Sequence, residues 1–142
     1  MSRGWQVRLG NGRSALVAAL ACSVVLAVLL SPLGFERRPP ADLTLIGYIS
    51  IGTVAAGILL DLAAIVLIFR RVRLASILAI VGSVVFLFPS VTDKAGAFFS
   101  LPAPPVISAL EYVHLGVLLT TLLLAWTVCR RSEGGRLSRR DA

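Results

Sequence analysis

From Leu43 to Phe69 the chain runs for 27 residues with a single charged side chain, Asp61, in its middle. The hydrocarbon core of a bilayer is about 30 Å thick, and a helix needs about 20 apolar residues to cross it. A run this long can tilt and still span. Three further apolar runs follow the same rule: Ser14 to Ser31, Leu74 to about Ser90, and Val106 to Cys129. The third is the shortest and is marginal as a span. Arg70, Arg71 and Arg73 before it and Pro89 at its end mark limits that suit a short crossing, the alternative being a buried or re-entrant segment. In lipid only helices and closed barrels satisfy their backbone groups, and these uninterrupted runs lack the alternation of barrel strands. The expected fold class is therefore all-α: an integral membrane four-helix bundle in residues 14–129, between basic tails at 1–13 and 130–142.

Composition excludes the obvious competitors. With 57 % hydrophobic residues, only 15 % charged and a mean hydropathy of +0.90, a chain of 142 residues cannot hide its apolar surface as a soluble domain. The first run also resembles a leader, but Ser31-Pro32-Leu33-Gly34-Phe35 is a poor cleavage site and Ala19-Leu20-Ala21-Cys22 would cut inside the apolar stretch, so it is read as a membrane helix. Cys22 and Cys129 provide no disulfide framework.

Orientation follows from the basic residues. On this topology Arg3, Arg8, Arg13, Arg70, Arg71, Arg73, Arg130, Arg131, Arg136, Arg139 and Arg140 fall on one side, against Arg37, Arg38 and Lys94 on the other. The positive-inside rule then puts both termini in the cytoplasm. Trp126 falls at the cytoplasmic end of its run, and Tyr48 and Tyr112 near the outer ends of theirs, as interface aromatics should. The net charge of +7 is explained by this asymmetry, so no nucleic-acid partner is expected. The partners expected are the lipid bilayer and a second copy of the chain or another membrane protein. An arginine- and alanine-rich composition favours a multi-pass protein of the plasma membrane, the inner membrane of a bacterium. The outer connectors are rich in proline, and Ala95 to Leu101, with Phe98 and Phe99, is apolar but too short to span, which suits the outer interface.

Depth can be counted at 1.5 Å per residue from each cytoplasmic arginine. Asp61 lies nine residues from Arg70 and so roughly 13 Å deep, near the midplane. The same depth on the other runs holds Cys22 and Ser23, Gly82 and Ser83, and Thr120 and Thr121, a polar layer around Asp61. Along the second run Gly47, Ser50, Val54, Gly57, Asp61 and Ala64 recur at steps of three and four and share one helical face. Small residues let a neighbouring backbone approach, which turns Asp61 into the bundle. Ala15, Ala19 and Cys22, with Ser23 alongside, make the best matching face on the first run.

An acid at the centre of a span costs roughly 2.5–3.5 kcal/mol on insertion scales. An interhelical hydrogen bond returns only about 0.6 kcal/mol on average. A hydrogen-bonded or neutral packing residue held by Ser23, Ser83 or Thr120 is the plain explanation of Asp61. A proton, ion or ligand role is the sharper one. Glu111 and His114, at i and i+3 on one face of the fourth run, are the second pair of candidates, placed near the outer interface. Their spacing is that of carboxylate di-iron ligands, but the further carboxylates such a site requires are missing, so neither metal nor cofactor is expected. They read as a local ion pair or as an outer-face proton or substrate contact. No phosphate loop, CxxC or zinc spacing occurs, and His114 and Asp61 are expected at different heights, so catalysis is not expected. The leading expectation is a non-catalytic accessory or assembly partner. The alternative is a small proton-coupled transporter or permeability protein working as a homodimer through Asp61. The third is lipid or quinone binding.

Overall fold

The computed structural model describes residues 3–31, 44–97 and 103–137, with side chains at 11–31, 44–97 and 103–132. Four helices occupy them: α1 (Arg3–Leu30), α2 (Leu45–Leu67), α3 (Val72–Lys94) and α4 (Pro105–Leu137). There is no strand among the described residues. Each helix contains a segment long and apolar enough to cross a membrane. The first connector, with Arg37 and Arg38, and the residues Phe98 and Phe99 lie outside the described residues.

Local chemistry explains the ends. Thr44 caps α2: its Oγ1 accepts from the Gly47 amide at 3.0 Å, and its hydroxyl donates to the Ala97 carbonyl just beyond α3. That single side chain ties the start of α2 to the end of α3. The α2–α3 turn is tight, with the amides of Arg70 and Arg71 both donating to the Leu67 carbonyl. Pro105 opens α4, where its missing N–H costs nothing.

Pro89 does not end the third span. α3 continues through it to Lys94, making 23 helical residues instead of a short crossing. Proline removes one donor and crowds the preceding turn. The Ser90 hydroxyl donates to the Phe86 carbonyl and the Thr92 hydroxyl to the Pro89 carbonyl, both at 3.0 Å, while the carbonyl that loses its amide partner to Pro89 is that of Val85.

The helices pack in a ring, each against its neighbours in sequence, with α4 closing on α1. The α2–α3 seam is the most extensive and the α1–α2 seam the lightest. Small residues set the first of these. A Cβ placed on Gly57 would stand 2.9 Å from the Phe86 ring, and one placed on Gly82 would stand 2.5 Å from Asp61 Oδ1. Of the α1 face expected to meet α2, Ser23 turns in beside Asp61 and Ala19 is half-buried, but the rest of the face does not. Ala15 and Cys22 face outward, while Leu16, Leu20 and Ser23 face in. At this more open seam burial of large side chains wins over close backbone approach.

The start of α1, the α2–α3 turn and the end of α4 share one end of the bundle, called the terminal end, with Arg13, Arg70, Arg71, Arg73, Arg130 and Arg131; the other is called distal below. Toward the terminal end the interior is apolar: Leu16, Leu20, Ala64, Ile68, Ala75, Ala79, Ala125 and Val128 form one buried cluster. Ser76, among them, turns its hydroxyl back to the Val72 carbonyl of its own helix. The outer surface is apolar too, with Leu59, Val66 and Leu123 at 67 %, 71 % and 68 % exposure. Such a surface suits lipid and not water.

The seam makes a measurable claim. Gly57→Ala should destabilise the bundle by about 1–3 kcal/mol, the range for overpacking a filled core. Gly52→Ala, on the open side of the same helix with nothing within 4 Å, should be neutral or stabilising by up to about 1 kcal/mol. Thermal unfolding of both variants in one detergent tests the difference.

Candidate functional site: a buried polar column

Asp61 is fully buried on the inward face of α2, whose buried residues are Gly47, Ser50, Gly57, Asp61 and Ala64. Its carboxyl lies against the α3 backbone at Gly82, where the absent side chain leaves room for it. Neither carboxyl oxygen has a hydrogen-bond partner among the described residues. Ser23 of α1 stands beside the carboxyl, close enough to interact but not in hydrogen-bonding geometry. On its other side the Ser23 hydroxyl lies 3.4 Å from His114 Nε2 of α4, and which of the two donates depends on the imidazole tautomer. Phe86 of α3 holds the imidazole in place, its ring meeting it edge-on with centroids 5.5 Å apart.

Other hydroxyls share the interior. Thr121 is fully buried and donates to the Val117 carbonyl at 2.8 Å, while the buried Ser83 hydroxyl has no partner among the described residues. Cys22 and Thr120, placed by depth in the same layer, face outward. Depth fixes height along a helix but not direction around it, and one residue turns the side chain by about 100°.

Beyond His114 toward the distal end comes a charged cluster. Glu111 is one turn along α4 on the same face and pairs with Lys94 at the end of α3. Lys94 also donates to the Ser108 hydroxyl at 2.8 Å and carbonyl at 3.3 Å, and sits 4.2 Å from the centre of the Tyr112 ring. The Asp93 carboxyl stands next to Glu111. Glu111 is thus engaged in an ion pair that sequence spacing did not assign to a partner. Opposite charges flanking one connector, Lys94 before it and Glu111 after it, were the available signal.

His114 and Asp61 do differ in height. Their α3 neighbours, Phe86 and Gly82, are four residues apart, which is about 6 Å of helical rise. Ser23 makes up that difference from a third helix, a contact that counting along single helices cannot reveal. The order is carboxyl, hydroxyl, imidazole, with serine in the middle. A hydrolytic triad has the imidazole between the hydroxyl and the carboxylate. What this chain of groups can do is hold and pass protons, since a hydroxyl accepts and donates at once. No three His, Cys, Asp or Glu side chains gather in metal-binding proximity among the described residues.

Known protein families, curated proteins and solved structures were compared with the chain, and none matched. Its class, an all-helical protein with four helices able to span a membrane, comes from the fold itself.

The contact at Gly82 predicts a coupled pair. Gly82→Ala should destabilise more than Gly57→Ala, because its new methyl meets a buried carboxyl and the Leu60 Cβ at 3.2 Å. Adding Asp61→Ala should recover part of the loss, with an interaction energy of about 0.5–3 kcal/mol in a double-mutant cycle read by thermal unfolding.

Proposed function

We propose that this is an integral protein of the plasma membrane with both termini cytoplasmic, and that it is a small proton-coupled transporter or permeability protein working through Asp61. The observation that carries the reading is the state of that carboxyl: fully buried, with neither oxygen hydrogen-bonded among the described residues, at the inner end of a column of exchangeable groups. Buried polar groups with purely structural roles are normally hydrogen-bonded. An ionisable side chain left open in the centre of a spanning bundle is how membrane carriers hold a proton in transit. The orientation rests on the arginines at the terminal end, among them Arg13, Arg70, Arg71, Arg73, Arg130 and Arg131. Four helices are few to enclose a substrate route, and a homodimer supplies the missing wall.

The accessory or assembly role is the second reading. The lightly packed α1–α2 seam favours it, because a partner helix can complete it. That reading involves no proton movement.

Reconstituted vesicles separate the two. With a pH dye inside and a potassium diffusion potential imposed, the wild type should carry protons and Asp61→Asn should carry at least tenfold fewer. Equal flux in both proteins overturns the role of Asp61. A wild type no faster than empty vesicles removes the transport reading and leaves the accessory role.

A further inference from the structure

From Asp61 the column of polar groups leads toward the distal end, past the buried Ala27, Phe86 and Leu118. Directly beneath each member of its inner layer, toward the terminal end, lie two apolar residues at matching offsets. Leu20 and Leu16 follow Ser23, Ala64 and Ile68 follow Asp61, Ala79 and Ala75 follow Gly82, and Ala125 and Val128 follow Thr121. These eight side chains are the buried cluster of that half and carry no proton; the Ser76 hydroxyl among them is spent on the Val72 carbonyl, and Arg13, with its Nε buried, comes only a turn beyond Leu16. Toward the distal end the interior offers Ser23, His114 and then the Glu111, Lys94 and Asp93 cluster.

We infer that Ser23 is the proton relay between His114 and Asp61, and that in this conformation Asp61 exchanges protons through it with the distal side of the membrane alone. The inference rests on the proton-coupled role of Asp61 proposed above and adds the route and the residue that makes it. Asp61 and His114 stand about a helical turn apart in height and make no hydrogen bond to each other, and Ser23 neighbours both. The other two candidates are less suited. The Thr121 hydroxyl is already spent on the Val117 carbonyl, and Ser83 makes no hydrogen bond to either group. The 3.4 Å separation between Ser23 and His114 is long for a hydrogen bond, so transfer requires the two groups to draw together.

The transfer balances. A proton arriving from the distal side charges His114. The Nε2–H of the imidazolium breaks as a new O–H forms on Ser23, while the original Ser23 O–H breaks as an O–H forms on the Asp61 carboxylate. The imidazole ends neutral, the serine unchanged and the aspartate protonated. Before the next transfer the serine hydroxyl turns back toward Nε2. The charged groups nearest the route are Glu111, Lys94 and Asp93, one turn beyond His114, and the apolar cluster faces Asp61 from the opposite side.

Infrared difference spectroscopy tests this on the full chain in vesicles, with Asp61→Asn assigning the carboxyl band and the pH jump applied on one side. In the wild type the Asp61 band should respond rapidly to a jump on the distal side and at least tenfold more slowly to one on the side of the termini. Ser23→Ala should leave the final amplitude unchanged and slow the distal response at least tenfold, while Ser23→Thr, which keeps the hydroxyl, should restore the rate. Ser23→Cys, with nearly the serine shape and a weaker donor, should fall between them and shows whether shape alone matters. A wild-type rate in Ser23→Ala overturns the relay, as does a wild-type protein that responds equally from both sides. Equal slowing in the alanine, threonine and cysteine variants overturns it in favour of packing. These results leave the titrating role of Asp61 standing. An Asp61 band that responds to neither side in the wild type removes the transport reading and this inference together.

Discussion

The bundle is organised around one constraint: a carboxyl group must be accommodated at the place where two helices come closest. Asp61 and Gly82 meet across the α2–α3 seam, and the carboxyl fills the space that any larger residue at 82 would occupy. The Gly57–Phe86 contact four residues away repeats the arrangement with an aromatic ring in place of the acid. Together these two contacts bring α2 and α3 close, and the remaining helices pack around the pair. Without a hydrophobic force between helices in lipid, such fitted contacts and interhelical polar ones hold a membrane bundle together.

The interior is divided along its length. The distal half is crossed by side-chain bonds: Thr44 to the end of α3, Ser50 Oγ to Thr92 Oγ1 at 3.3 Å, and Lys94 to Ser108 and Glu111. The other half is closed by aliphatic contact. Hydrogen bonds in a dry interior are directional and costly to leave unmade, whereas aliphatic contacts tolerate sliding. The two halves therefore hold the same four helices by different means.

Much of this was legible in the sequence, and the misses have physical causes. Run length alone locates the four helices, because lipid demands a minimum span. The spacing of Gly47, Ser50, Gly57, Asp61 and Ala64 picks out the buried residues of α2, since small residues and an acid there have one direction in which burial is tolerable. Spacing failed on α1, where both the small and the large residues repeat helically and only the neighbouring helices decide which set turns inward. It failed at Pro89, where the chain stays helical through the proline as far as Lys94. The candidate site was legible as a set of residues and not as a chain of contacts. Asp61, His114 and Ser23 could each be singled out, but their meeting depends on the relative heights of three helices, which no single run records.

The matching offsets below the inner layer have a consequence for assembly. Ser23, Asp61, Gly82 and Thr121 each stand three or four residues, and then seven, from the aliphatic residues beneath them. Four apolar helices with smooth surfaces could stack at several heights differing by a turn with little to choose between them. Here a shift of α2 by one turn toward the terminal end would push a carboxyl in among alanines and leucines and would bring Gly57 where the other helices offer hydroxyls. A shift the other way would drive it against the Phe86 ring. The one acid in the span thus acts as a pin that selects a single vertical alignment of the four helices, in the way a lone polar residue fixes the register of a coiled coil.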